Sequence, residues 1–178
     1  MCAIFGIAGA DEASNLTYLG LHSLQHRGQE GAGIVSTDGQ QHYVHKRQGH
    51  VSEVFTPAAI NRLKGRAAIG HTRYSTTGGN TAENLQPIQM RSSLGWVAVV
   101  HNGNLVNAAQ LIQSLERDGA IFQSTIDTEV IVHLMARSRE PGLIEALTRA
   151  IGMRTFDDSA ISLDACLRDV QEVGIGDQ

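Results

Sequence analysis

A cysteine directly behind the initiator methionine is the residue in this 178-residue chain with the most chemistry available to it. Once Met1 is removed, Cys2 carries a thiol and a free α-amine on one carbon. The amine titrates near about pH 8 and the thiol near about 8.5, so at neutral pH the amine can take the thiol proton, directly or through a water. The same residue also reads as a small apolar side chain at the start of a buried strand. Its partners decide between the two.

Further residues along the chain offer partners, each with a plainer reading beside it. Arg27-Gly28-Gln29-Glu30-Gly31 is a glycine-rich corner at which Arg27 either holds an anion or carbonyl or makes a surface ion pair. His71-Thr72-Arg73 ends an apolar run, and the Arg73 guanidinium suits a carboxylate gripped by two parallel hydrogen bonds, or a structural salt bridge. Thr76, Thr77, Gly78 and Gly79 suggest a phosphate cradle, but no Gly-Lys-Ser/Thr follows them. Asn102-Gly103 is a hairpin-turn dipeptide that, at the end of a buried strand, also supplies an amide and a backbone N–H for a developing oxyanion. Asp127 is a helix cap first and a partner for an ammonium group second. His22 and His26 share the i, i+4 spacing of zinc ligands, but spacing places no third ligand beside them.

The elements that must position these residues follow from periodicity. Residues 3–8 read as a strand buried on both faces, followed by a helix capped at Ser14 or Asn15 and closed by Gly28. Residues 32–36 and 42–46 form a hairpin across an Asp-Gly turn. One helix is expected over 52–63 with Pro57 in its first turn, then a buried strand over 66–71. Residues 72–86 have no period, and a polar loop of that length in a compact domain is functional or disordered. An antiparallel pair over 87–92 and 94–101 leads into helices starting at Asn107, at Asp127 or Thr128, and at Leu143. Sheets covered by helices, an α+β arrangement, are the expectation.

Composition excludes several classes. The length suits one domain, and a net charge of −4 gives no electrostatic footprint for nucleic acid or anionic lipid. Two cysteines make neither a disulfide framework nor a zinc or redox pair, and no leader or apolar run long enough to cross a membrane is visible, so a reducing cytoplasm is expected. Cys166 reads as a packing residue.

Taken in order, Cys2, Arg27-Gly28-Gln29-Glu30, His71-Thr72-Arg73-Tyr74-Ser75-Thr76-Thr77-Gly78, His101-Asn102-Gly103-Asn104 and Asp127-Thr128-Glu129 resemble the class II glutamine amidotransferases of the N-terminal nucleophile hydrolases. Tyr74-Ser75 and Gln29-Glu30 look more like the amidophosphoribosyltransferase branch than the glucosamine-phosphate synthase branch, which prefers Trp-Ala and Tyr-Asp there. The resemblance covers residues 2–150 as a glutaminase domain. It implies a four-layer αββα sandwich of antiparallel sheets and hydrolysis of the glutamine side-chain amide, with no cofactor for that step and no metal. Cys2 would be the nucleophile, Asn102 and Gly103 the oxyanion hole, and Arg73 and Asp127 the holders of the substrate carboxylate and ammonium. Arg27 and Thr76 join the substrate-binding set, Thr76 on a loop that closes over substrate.

Residues 151–178 depart from the family pattern and are expected to form a divergent, helical tail, leaving the second sheet incomplete. A phosphoribosyltransferase domain or subunit would then be a partner outside this chain, beside L-glutamine and, in an oligomer, further copies. The competing expectation is a shortened, non-catalytic remnant that binds glutamine or a partner subunit.

Overall fold

Six residues without a charge form β1 (Ala3–Ala8), and the Gly-Ala-Gly-Ile-Val run forms β2 (Gly31–Thr37). With β3 (His42–Gln48) and β4 (Ala67–Arg73) they make an antiparallel sheet in the order β1-β4-β2-β3. The computed structural model describes residues 2–74, 79 and 81–152. Because side chains alternate along a strand, one face of this sheet presents Phe5, Ile7, Ala32, Ile34 and Ala68. That face packs on α1 (Ala13–Ser23), through Ala13 and Leu21, and on α2 (Val51–Val54). Gly70 leaves room there for Leu21 and Thr17.

The second sheet, among the described residues, is the antiparallel pair β5 (Ile88–Ser92) and β6 (Gly95–Val99). Its outer side is covered by α5 (Thr128–Arg137), which buries Val130, Ile131, Leu134 and Met135. Around it gather α4 (Ala108–Arg117) and α6 (Leu143–Gly152). The two sheets meet face to face. Lys46 on β3 donates from Nζ to the carbonyls of Leu85 (2.7 Å) and Pro87 (3.3 Å), at the entrance to β5. Burial lowers the pKa of Lys46, against the opposing pull of Glu129 and Glu83. Beside it, a Cβ on Gly33 would fall 2.1 Å from the Gln86 carbonyl oxygen, so only glycine lets β2 approach this segment. Helix, sheet, sheet and helix thus stack in the expected αββα order.

Three expectations are corrected. The helix over 52–63 is two single turns, α2 and α3 (Pro57–Ile60). Pro57 has no N–H to continue the first, and instead opens the second with Thr56 capping Ala59 N–H at 3.3 Å. The first helix stops at Ser23, short of Gly28, and a 3-10 turn over Gln25–Arg27 fills the gap. The strand expected to end at 71 runs to Arg73, because Thr72 and Arg73 pair with Ala32 and Gly31. The expected tail lies outside the described residues after Gly152, as does Cys166.

Candidate active site

Cys2 stands one step before the Ala3–Thr72 pair that opens the β1–β4 register, and so opposite Arg73. Strand alternation puts it on the same sheet face as Ile4, His71 and Arg73. The backbone N–H of Tyr74 donates to Cys2 Sγ at 3.4 Å, and the sulfur lies 3.5 Å from the Tyr74 carbonyl. The cysteine itself is half-buried.

Arg73 is 4% exposed, and its guanidinium donates from Nη1 to Asn84 O at 2.8 Å and from Nη2 to Gly79 O at 3.3 Å. It therefore joins the end of β4 to the segment that leads back into the second sheet. Arg27 ends the 3-10 turn, half-buried, beside a corner held by Gln25. Gln25 donates to Gly28 O (2.5 Å) and accepts from Val51 N–H (2.6 Å). Gly28 itself lies flat on the end of β4, where a Cβ would meet the Arg73 carbonyl oxygen at 2.8 Å. The corner, Arg73 and Cys2 are thus brought to one end of the first sheet. Thr76 lies outside the described residues.

From the second sheet, the chain leaves β6 through His101, which is 4% exposed, to a half-buried Asn102 and an exposed Gly103. Gln86 clasps the His101 backbone, accepting from its N–H at 2.6 Å and donating to its carbonyl at 3.1 Å. Asp127 occupies the cap position of α5 but makes no side-chain capping bond. Its Oδ2 instead accepts from Leu105 N–H at 2.7 Å, just past the Asn102-Gly103 dipeptide, and its Oδ1 is 3.7 Å from His101 Nδ1. Burial would raise the pKa of Asp127, but the neighbouring His101 ring and the Leu105 N–H outweigh it and hold the carboxyl below its usual range. His71, fully buried beside Arg73 and His101, is pushed down to about 3, first by burial and then by those two neighbours. A neutral imidazole therefore stands beside both Arg73 and His101.

Several residues that sequence reasoning did not single out hold this arrangement. Asn84, 1% exposed, accepts from Thr125 N–H and donates to Thr125 Oγ1 and to Gly79 O, each at 2.9 Å. Glu129, also 1% exposed, accepts from the N–H groups of Gln123 and Ser124 at 2.8 Å and from Ser124 Oγ at 2.5 Å. The residue types alone do not announce Asn84 and Gln86, since Asn84 closes a 3-10 turn over Ala82–Asn84 and Gln86 follows it beyond an extended Leu85. The His22 and His26 pair is on the surface, and among the described residues no group of three or more ligands could hold a metal ion. A cleft of about 630 Å³, lined in part by Asp11, Tyr18, Phe55 and Lys64, opens at the opposite end of β1, away from these groups.

Residues 71–159 match the model of a glutamine amidotransferase domain. The chain is 53% identical over 153 residues to the amidophosphoribosyltransferase of Bacillus subtilis, a match covering 85% of this chain and 32% of the relative. It is 54% identical over 139 residues to the amidophosphoribosyltransferase of Lacticaseibacillus casei, covering 76% and 71%. Among solved structures, the B. subtilis glutamine phosphoribosylpyrophosphate amidotransferase in complex with ADP and GMP superposes with a TM-score of 0.80 at 49% identity. That superposition covers 88% of this chain and 33% of that one. A structure described as the allosteric regulatory enzyme of purine biosynthesis superposes at 0.82 and 51%, covering 88% and 34%. The chain thus spans about a third of the length of the B. subtilis relative.

Proposed function

The chain belongs to the glutamine amidotransferase family, in its amidophosphoribosyltransferase branch, and from that premise we propose that it hydrolyses the side-chain amide of L-glutamine through a thioester on Cys2. With Met1 removed, the α-amine of Cys2 takes the thiol proton and the sulfur attacks the amide carbon. The carbonyl oxygen becomes an oxyanion, for which the Asn102 amide and the Gly103 N–H are the donors. The C–N bond then breaks as the α-ammonium returns its proton to the departing nitrogen, releasing ammonia and leaving a γ-glutamyl thioester. Water attacks that thioester, with the amine again as base, to give glutamate and free thiol.

The observation that supports this reading best is that each half of the proposed site is held at a strand end by hydrogen bonds. Cys2 is bonded to the backbone after Arg73, and the Asn102-Gly103 dipeptide is fixed between the Gln86 clasp and the Asp127–Leu105 bond. Arg73 and Asp127 are the groups for the two charged ends of the amino acid, with Arg27 and Thr76 nearby in the family pattern. Two-ended recognition supplies both specificity and orientation. No cofactor enters any of these steps. Transfer of the ammonia to a phosphoribosyl acceptor belongs, in this reading, to a phosphoribosyltransferase domain or partner subunit in a cytoplasmic purine pathway. Among the described residues no helix is long and apolar enough to cross a membrane.

The test is glutamate release from glutamine by the purified chain, with intact mass to establish that Cys2 is N-terminal, against the Cys2→Ala variant. Hydrolysis that survives the substitution refutes the mechanism. Glutamine binding by calorimetry without turnover would instead mark a binding module.

A further inference from the structure

We propose that Asn84 and Gln86 are paired positioning residues that hold the two halves of the site in register, Gln86 acting on the oxyanion donors and Asn84 on Arg73 and the approach to Asp127. The proposal deepens the glutaminase reading and rests on it.

The argument starts from where the site is divided. Cys2 and Arg73 belong to the first sheet, whereas Asn102, Gly103 and Asp127 belong to loops around the second. Amide hydrolysis needs both halves fixed to a fraction of an ångström, and the covalent chain between them over 74–87 is long. Residues 84–87 bridge the gap. On one side they are held by the first sheet: Arg73 Nη1 binds the Asn84 carbonyl, Lys46 Nζ binds those of Leu85 and Pro87, and Leu85, 1% exposed, packs where Gly31 has no side chain. On the other side the two carboxamides reach across. Gln86 binds both backbone groups of His101, the residue before Asn102, and Asn84 binds the N–H and hydroxyl of Thr125, two residues before Asp127.

A carboxamide is suited to this because it donates and accepts in one plane, as a peptide group does. Gln86 binds His101 as a neighbouring strand would, two residues beyond the end of the β5–β6 ladder at Val99. Both side chains are buried, at 1% and 5% exposure, so each clasp is shielded from water and its loss leaves buried donors and acceptors unpaired. Neither residue is a group that touches substrate. Their effect is on the groups that do, and it should divide between them. The oxyanion donors act in the transition state, so a loosened His101 should appear in kcat. Arg73 and Asp127 bind the ground state as well, so a loosened Asn84 should appear in KM.

The experiment measures steady-state glutaminase kinetics for the wild-type chain and for Gln86→Met, Gln86→Glu and Asn84→Leu, with the folded fraction of each read by thermal unfolding. Gln86→Met should lower kcat by about 100-fold with KM within about 3-fold. Gln86→Glu keeps the acceptor for His101 N–H and, in the protonated form that burial favours, an O–H donor for the His101 carbonyl, so it should recover about 10-fold of that loss, and it serves as the test if the methionine variant does not fold. Asn84→Leu should raise KM by about 10-fold or more with kcat within about 3-fold. Wild-type kinetics in either residue's variants, or a loss that only tracks the folded fraction, overturns the proposal. If the wild-type chain itself releases no glutamate, the functional reading fails instead. Positioning is then read from amide hydrogen exchange over residues 102–105, which Gln86→Met should accelerate by about 10-fold or more, and unchanged exchange overturns it.

Discussion

The backbone N–H of Tyr74 points at the sulfur of Cys2 from 3.4 Å, although the two residues are 72 positions apart in the chain. The contact follows from the β1–β4 register, which sets Ala3 against Thr72 and carries Cys2 to the end of β4. A residue next to a chain end would ordinarily fray. Here it is tied to the strand end that also carries Arg73.

Because Cys2 is half-buried and contributes little to either core, its replacement should be silent in folding and severe in chemistry. Cys2→Ala should abolish glutamate release while changing unfolding free energy by less than about 1 kcal/mol. A chain that retains Met1 should be equally inactive, since in the proposed mechanism the base is the α-amine of Cys2. Activity and intact mass measured on the same preparations check both outcomes.

Glu129 should be among the most sensitive positions for stability although it touches neither Cys2 nor Asn102. Its carboxylate accepts three hydrogen bonds from Gln123 and Ser124 in a site that is 99% shielded, and His133 Nε2 lies 3.7 Å away. Glu129→Gln replaces one acceptor oxygen by a donor facing N–H groups and should cost about 2–4 kcal/mol in urea unfolding. Ser124→Ala removes only the hydroxyl bond and should cost about 1 kcal/mol.

Acid should weaken the fold through His71. Its folded-state pKa of about 3 lies below the ordinary imidazole value of 6.5, so the unfolded chain binds the extra proton between those two values. Stability is therefore fully present above about pH 6.5 and declines as pH falls toward 3. Between pH 7 and pH 5 this one group should cost about 2 kcal/mol, and His71→Met should lose that dependence. Asp127 works in a lower window: its depressed pKa adds stability above the unfolded carboxyl value that is lost as pH falls through the folded one. Urea midpoints for wild type and His71→Met at both pH values test the assignment, and parallel pH dependence would refute it.

The periodic parts of this fold were legible in the sequence because local pattern and tertiary burial agree there. The uncharged, continuously buried run of β2 and the i, i+3, i+4 spacing in α5 are written by the cores they fill. The break at Phe55 and the extension of β4 to Arg73 were not legible, because Pro57 and the pairing partners in β2 decided them. In the site, the residue types were legible and their neighbours were not. Asp127 has the position of a helix cap, yet its carboxylate crosses to a loop 22 residues away. Asn84 and Gln86 sit in an aperiodic polar stretch, and their partners are 41 and 15 residues distant. Nothing short of the folded topology brings those amides to Thr125 and His101.

The same topology makes one small residue critical. Gly33 lies in the middle of β2 with ordinary strand pairing to Lys46 and His71, and a strand interior tolerates alanine well on conformational grounds. Its constraint is contact: an added Cβ would fall 2.1 Å from the Gln86 carbonyl oxygen and 2.9 Å from Lys46 Cβ. Neither obstacle can swing aside. The first is backbone belonging to the residue that clasps His101, and the second is a side-chain root whose ammonium is committed to Leu85 and Pro87. Gly33→Ala should therefore separate the two sheets locally, costing about 1–3 kcal/mol in unfolding free energy. It should also lower kcat for glutamine hydrolysis in the fraction that remains folded, with KM less affected. Gly39→Ala is the control: it meets nothing within 4 Å, and its φ of 88° gives it a strain unconnected to the site. A loss of stability shared by both variants, with kcat lowered only in Gly33→Ala, would place the catalytic effect at the Gly33–Gln86 contact.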